Sequence, residues 1–498
     1  MKKNITGITT IIVSGFLHGF LSPPFLFLAQ IIAIFCIIPF VATIYNEKPS
    51  KLKMYSWGFS SYFGTIWWMA CVDISGLRFF IVSGTILLAM FFALKYLFLG
   101  IISSFAVNKN RRLSFLFIPA LWVVFDYLFL FGEMSFPWMF DGYLLSQYLY
   151  LSQITSVTGI WGLSFLAVIS AVVLYETIFE KRKTACLKII IITILIICLF
   201  GFLRIKPVET YEQKALVMQP NADQQNWHGE SSLIKSIDIL DSLFEESLKL
   251  NNGIYIIPES GIFAYFDYRP LCKSTVKDWL KKYNSPIIFG TLDPISDEND
   301  IVTSAYNSAF FATPQNNEYQ RYNKQKLVPF VETMPFSNTF PMINRLDLGG
   351  GSFSAGTQNT VWEFEENLKI APMICYESIY PNFVRKRINS GADFIVNITN
   401  DGWFGRTTAP FQHAEMSRVR AIENGTGMVR CANSGVSFSV DCYGRYLSKT
   451  KLYTREVIEM PVTKPLESTI YRKFGDWFAY LCGFFAIFTL IFPIARKK

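Results

Sequence analysis

The chain is poor in histidine, poor in charge and without paired-cysteine spacing, and each shortage removes a class of function. Three of its 498 residues are histidine, namely His18, His228 and His413. Imidazole-rich metal sites and Ser-His machinery have little to draw on. Nine cysteines are present, but no two are spaced Cys-x-x-Cys, which excludes zinc-ribbon and thioredoxin-type sites. Charged residues make up 17% of the chain against 51% hydrophobic ones, and the mean hydropathy is +0.30. That is too apolar for an ordinary soluble protein. The net charge of +8 comes with no clustered basic patch, so nucleic acid is not an expected partner. No repeat of fixed period and no low-complexity tract occurs.

What is there is an uneven spread of apolar residues. They run almost unbroken to Leu203, thin out from Arg204 to Lys473 and return at Trp477. This predicts a transmembrane domain over residues 1–203, a globular domain over 204–473, and a final transmembrane helix with a tail over 474–498. Seven apolar runs fill the first part, at 5–21, 25–44, 56–72, 79–105, 113–131, 159–179 and 187–203, and an eighth covers 477–495. Most reach the roughly 17 to 25 residues that a bilayer-crossing helix needs. Lys2 and Lys3 before the first run also fit a signal peptide, but no small-x-small cleavage site follows.

Basic residues orient the spans. Lys2 and Lys3, then Lys48, Lys51 and Lys53, then Lys109, Arg111 and Arg112, then Lys181, Arg182 and Lys183, and finally Arg496, Lys497 and Lys498 fall on one face of the array. By the positive-inside rule that face is cytoplasmic. The other loops carry Asp73, Glu133 and Asp141. Both termini are therefore expected inside and the globular domain outside. Asp126 within a span is costly in lipid, and reads either as functional or as a satisfied helix-packing contact.

Between Arg204 and Lys473, short apolar strands alternate with amphipathic helices, the pattern of an α/β domain. Strands are predicted at 214–219, 254–257, 287–291, 304–312, 369–374, 394–398, 428–431 and 436–441, and helices at 231–250, 274–283, 381–389 and 412–424. Two layers of sheet with helices outside would bury such a pattern.

Three chemically capable residues stand beside these strands. Glu259 follows the strand at 254–257, Cys375 follows the one at 369–374, and Lys324 comes after a polar turn beyond the one at 304–312. Strand ends are where a sheet presents side chains to a cleft. A thiol needs a base and a cation or dipole to become a working nucleophile. The base is either the carboxylate of Glu259 or, in a Cys-His pair, His413.

The residues around these positions carry a resemblance. Pro258-Glu259-Ser260-Gly261, Lys324 within Tyr322-Asn323-Lys324-Gln325-Lys326-Leu327-Val328-Pro329-Phe330, and Cys375-Tyr376-Glu377 resemble the Glu-Lys-Cys triad of the nitrilase (carbon-nitrogen hydrolase) superfamily. One branch is matched in more detail, the apolipoprotein N-acyltransferases. The match takes in Gln219-Pro220-Asn221 with Trp227, Tyr306-Asn307-Ser308, Asn400-Asp401-Gly402-Trp403-Phe404-Gly405, and Arg430-Cys431-Ala432-Asn433-Ser434-Gly435. In the apolar part it includes Phe136-Pro137-Trp138 and Gly159-Ile160-Trp161-Gly162-Leu163-Ser164. It spans essentially the whole chain.

The resemblance implies an eight-span helical membrane domain, seven helices before and one after an external α-β-β-α sandwich, in a bacterial inner membrane with the sandwich periplasmic. It implies transfer of an acyl chain from a phospholipid, phosphatidylethanolamine being the expected donor, to the α-amine of a lipoprotein's diacylglyceryl-cysteine. No cofactor or metal is implied, and the protein is expected to be a monomer. Carried over residue by residue, Glu259 is the base, Cys375 the nucleophile, and Lys324 with the backbone N–H of Tyr376 the oxyanion donors. Glu332 and Glu377 would hold Lys324 charged or orient the amine. Trp227, Asn307, Phe330 and Trp403 would meet substrate, while His413 and Asn433 would be structural. One departure stands out: the family's Pro-Phe-Gly-Glu is Pro329-Phe330-Val331-Glu332 here, and a β-branched Val331 would strain a positive φ. A membrane-anchored amidase or nitrile hydrolase using the same triad is the alternative; a catalytically silent scaffold would not need the triad.

Overall fold

A computed structural model describes residues 5–22, 27–72, 76–138, 140–181, 184–223, 230–299, 301–316, 318–337, 339–340, 342, 353–364 and 368–492. Lys2, Lys3, Asp73, Arg182, Lys183, Arg496, Lys497 and Lys498, used above for orientation, lie outside them. The chain divides into two compact units. One comprises Met1–Lys206, Phe411–Val419 and Lys473–Lys498; the other comprises Pro207–Pro410 and Arg420–Arg472.

The first unit is helical, and every apolar run of the sequence is a helix or a pair of helices within it. The run at 25–44 is broken into Phe27–Phe35 and Ile38–Ile44, since Pro39 in the first turn of the second cannot donate the N–H that a continuous helix requires. The third run starts early, at Lys51, where the Ser50 hydroxyl accepts from the Lys53 N–H, and closes in a 3₁₀ turn at Trp67–Cys71. Among the described residues three helices are long and apolar enough to cross a membrane, Arg78–Lys109, Ile160–Ile178 and Thr184–Arg204. Shorter apolar helices accompany them at Ile8–Phe20, Ser114–Leu128 and Trp477–Ile491, beside the broken pair already described. Short helices at Tyr143–Ser146, Leu149–Ser152 and Thr155–Thr158 have no counterpart in the sequence reading.

Aromatic rings and paired charges fill this unit's centre. The Trp57 ring lies 4.8 Å from that of Phe40 and 5.0 Å from that of Tyr96. Asp126 is fully buried and ion-paired with Lys95, a contact between two helices of this unit. His18 Nε2 meets Asp141 Oδ1 at 2.8 Å, and its Nδ1 meets the Ser61 hydroxyl at 2.8 Å. Within the same unit Gln412 Oε1 accepts from the indoles of Trp68, at 3.0 Å, and Trp138, at 2.8 Å.

The second unit is built on two six-stranded sheets. In chain order the strands are β1 (Thr210–Gln219), β2 (Gly253–Ile256), β3 (Ile287–Ser296), β4 (Val302–Ala312), β5 (Gln320–Asn323), β6 (Trp362–Phe364), β7 (Leu368–Ile374), β8 (Phe394–Thr399), β9 (Gly427–Ala432), β10 (Phe438–Val440), β11 (Tyr446–Lys449) and β12 (Glu456–Thr463). One sheet runs β12-β1-β2-β3-β4-β5 and the other β11-β10-β9-β8-β7-β6. The centre of each is parallel, β1-β2-β3 and β7-β8-β9, with antiparallel strands outside.

Alternation along β1 shows why two layers form. Ala215 and Val217 point into one core with Ile254, Ile374, Val396 and Val429, which joins the two sheets. Leu216 and Met218 point the other way, into a second core with Leu240 and Phe244 of helix Glu230–Ser247 and Trp279 of helix Pro270–Tyr283. A period of two thus loads both faces of one strand. The eight predicted strands are all present; β5, β6, β11 and β12 are additional. Among the described residues no disulfide joins any cysteines.

Candidate active site

The site forms where the strands of both sheets end. Glu259 follows β2, Lys324 follows β5 and Cys375 follows β7. Lys324 Nζ donates to Glu259 Oε1 at 3.1 Å and to Glu332 Oε1 at 2.8 Å. The side-chain amide of Asn307, on β4, donates to the same two oxygens at 2.8 and 3.0 Å. The remaining carboxylate oxygens take backbone donors: Glu259 Oε2 accepts from Asn400 N–H at 2.9 Å, and Glu332 Oε2 from Val328 N–H at 2.9 Å. Lys324 is 1% exposed and its three partners no more than 7%.

The backbone around the site is tight and strained. Gly290 of β3 passes so close to Glu259 that a Cβ there would lie 2.6 Å from the Glu259 Cα. Cys375 has φ +52, a left-handed conformation costing on the order of 1 to 3 kcal/mol for a non-glycine residue. Its carbonyl oxygen is held by the Ser378 hydroxyl at 2.9 Å and the Asn397 amide at 3.4 Å.

Electrostatics sets the resting protonation. Burial, and after it the Glu259 charge, pushes the Cys375 thiol well above its ordinary range, against the Lys324 ammonium and a hydrogen bond with Thr399. Burial would push the Lys324 ammonium down, but Glu259, Glu332 and Cys375 outweigh it and hold it above its usual value. The resting site is thus a neutral thiol beside a charged lysine and carboxylate. A thiol in that state needs its proton taken as it attacks, and Glu259 is the carboxylate whose charge bears on it most. His413 sits in the helical unit with its ring 5.6 Å from that of Trp138.

The other expected residues fall as follows. Glu332 meets Lys324 directly. Glu377 is fully buried and instead accepts from the Tyr322 hydroxyl at 2.6 Å, Gln325 N–H at 2.7 Å and Ile374 N–H at 2.8 Å. It ties the lysine loop to the end of the cysteine strand, and burial raises its carboxyl above the usual range. Tyr376 is buried next to Cys375, in the 3₁₀ turn Cys375–Ile379. Phe330 and Trp403 are exposed, and Trp227 lies outside the described residues. Asn433 exchanges hydrogen bonds with Ala222 at 3.0 Å, a structural position.

The expected strain at Val331 is absent. The positive φ of this loop, +64, falls on Phe330, so valine in place of glycine meets no left-handed backbone. Sequence reading overlooked the roles of Asn397, Thr399, Asn400 and Asp401, which line the end of β8. The strand-end rule that found Glu259 and Cys375 would have found them too.

The comparisons agree with this architecture at both ends of the chain. A family model described as carbon-nitrogen hydrolase matches residues 225–471, and one described as the apolipoprotein N-acyltransferase N-terminal domain matches residues 14–173. The apolipoprotein N-acyltransferase of Geobacter metallireducens is 30% identical, over 89% of this chain and 86% of its own. That of Rickettsia prowazekii is 30% identical over 95% of each chain, and that of Chlorobaculum tepidum 29% identical over 79% of each. With both of its parts matched, and relatives aligned along nearly its whole length, the chain belongs to the apolipoprotein N-acyltransferase family.

Proposed function

We propose that the chain moves a fatty acyl group from a phospholipid to the α-amine of a lipoprotein's N-terminal diacylglyceryl-cysteine, through a thioester on Cys375. The observation that carries this reading is one buried ammonium, Lys324, shared by two buried carboxylates, of which Glu259 bears on the partly buried thiol of Cys375. In the first half, Glu259 takes the thiol proton as sulfur attacks the ester carbonyl. Lys324 and the Tyr376 N–H stabilise the oxyanion, and the lysophospholipid leaves with the proton that Glu259 returns. In the second half, the lipoprotein amine attacks the thioester, Glu259 takes the amine proton and passes it to the departing sulfur, and the amide leaves with Cys375 restored as a thiol. An α-amine with an ordinary pKa near about 8 offers a fair neutral fraction for that attack.

Asn307 holds the two carboxylates on Lys324, and its buried Oδ1, without a hydrogen bond among the described residues, takes one from the acceptor amine. Phe330, Trp403 and Trp227 line the acyl path. Phosphatidylethanolamine is the donor and the protein acts as a monomer. Residues 1–203 and 474–498 form eight spans in the bacterial inner membrane, with both termini cytoplasmic and residues 204–473 periplasmic. Several apolar helices and the basic loops of one face support that topology. Incubation with labelled phospholipid should leave a hydroxylamine-sensitive label on the wild-type protein and none on Cys375→Ser; a label persisting in that variant would reject the mechanism.

A further inference from the structure

Beneath the nucleophile lies an ion pair to which nothing above gives a role. Arg430, on β9, and Asp401, just past β8, are each at most 1% exposed. One guanidinium nitrogen of Arg430 donates to both carboxylate oxygens of Asp401, at 3.0 and 2.8 Å, while the other donates to Asn397 Oδ1 at 2.9 Å. Burying an arginine completely is costly unless it is paired and hydrogen-bonded. Here its bonds run to two residues that each touch the site. Asn397 donates to the Cys375 carbonyl at 3.4 Å. Asp401 Oδ1 accepts from the Thr399 hydroxyl at 3.2 Å, and Thr399 is hydrogen-bonded to the Cys375 side chain. The turn that begins at Asn400 caps the Glu259 carboxylate through its own N–H.

Space confirms that the carboxylate is held in place. Gly435 packs on it so closely that a Cβ would lie 2.2 Å from Asp401 Oδ2. The strands β7, β8 and β9 are adjacent and parallel. A cation on β9 therefore forks onto Asn397 of β8 and Asp401 just past it, and Asn397 in turn touches the carbonyl of Cys375 after β7.

We propose that Arg430 and Asp401 are a positioning pair that locks the strained turn of Cys375 and the turn capping Glu259 into one frame, with opposite charges balanced against the thiol. The inference rests on Cys375 being the nucleophile of the reading above. The charges that bear on that thiol come from Glu259 after β2, Lys324 after β5 and Asp401 after β8, with the Thr399 hydroxyl on β8. Arg430 offsets Asp401 from β9. Removing either member of the pair therefore shifts the thiol in opposite directions, which loss of packing would not do.

The test is the alkylation rate of Cys375 by iodoacetamide in the full-length detergent-solubilised protein, followed by peptide mass spectrometry at about pH 8. Asp401→Asn removes a charge opposing thiolate, and a shift of about one unit raises the thiolate fraction about tenfold. The weaker nucleophile returns about threefold of that, so the rate should rise roughly threefold. Arg430→Gln should slow it by a similar factor, and the double variant should return near wild type. Thr399→Val, which loses the hydroxyl that turns from Asp401 to the sulfur as thiolate forms, should also slow it and decides the sign if Arg430→Gln does not fold. Rates that fall in Asp401→Asn, or that stay at the wild-type value in both Asp401→Asn and Thr399→Val, overturn the proposal. Absence of alkylation at Cys375 in the wild type overturns the nucleophile assignment itself, and is told apart by that control.

Discussion

Both units bury charged side chains, and they close them differently. In the helical unit Lys95 is paired one to one with Asp126, and the His18 ring faces Asp141, which also accepts from the Trp122 indole. In the α/β unit Arg430 and Asp401 are likewise paired one to one, but at the site one cation serves two anions, since Lys324 and the Asn307 amide are divided between Glu259 and Glu332. Pairing charge for charge lowers the cost of burial and leaves nothing to be relieved. Two carboxylates on one ammonium leave a negative charge over, next to a thiol that holds a proton. The first arrangement suits a brace between helices, the second a proton acceptor waiting for a donor.

Variants at the two lysines should separate these roles most widely. Lys324→Met leaves two buried carboxylates facing one another and should cost roughly 3 to 5 kcal/mol in unfolding free energy. It should also slow acyl-enzyme formation by at least about a hundredfold. Lys95→Met should destabilise comparably in a detergent melt, while the fraction that stays folded acylates Cys375 at the wild-type rate. Loss of acylation in folded Lys95→Met would break the comparison.

Smaller effects sharpen it. Glu377→Gln leaves the donors of Tyr322, Gln325 and Ile374 poorly matched, and should cost about 3 kcal/mol, with kcat falling more than KM rises. Asn307→Ala removes two charge-assisted bonds and should cost about 1.5 kcal/mol, read as roughly tenfold slower acyl-enzyme formation. In the wild type, alkylation of Cys375 should keep climbing with pH beyond 9.0, the ordinary thiol value, because burial and Glu259 favour the protonated form. A plateau below that value would contradict the resting state drawn here. Val331→Gly should change stability by less than about 0.5 kcal/mol, since the residue is exposed and its φ is not positive.

Glu259 and Cys375 stand just past apolar strands, where local pattern marks a cleft, whereas Lys324, beyond a polar turn, was singled out with them by the resemblance. Eight of the strands and the helices around them were legible from the sequence, as their periods of 2 and 3.6 are local. What escaped depends on partners far along the chain. β12 joins β1 across more than two hundred residues and holds Pro461 opposite Lys214, so its own sequence gives a weak strand signal. β5 and β6 are only four and three residues long. Glu377 was expected to hold Lys324 charged or orient the amine, and its actual partners, Tyr322 and Gln325, lie far from it along the chain. Arg430 read as part of a motif, and only the folded sheet shows its fork between Asn397 and Asp401.

The most direct measurement is the site and rate of acyl adduct formation, by peptide mass spectrometry, in wild type and Glu259→Gln given the same phospholipid. The account predicts an adduct on Cys375 in the wild type, and its formation at least about a hundredfold slower without the carboxylate. An adduct on another residue, or undiminished acylation of Cys375 in Glu259→Gln, would contradict it.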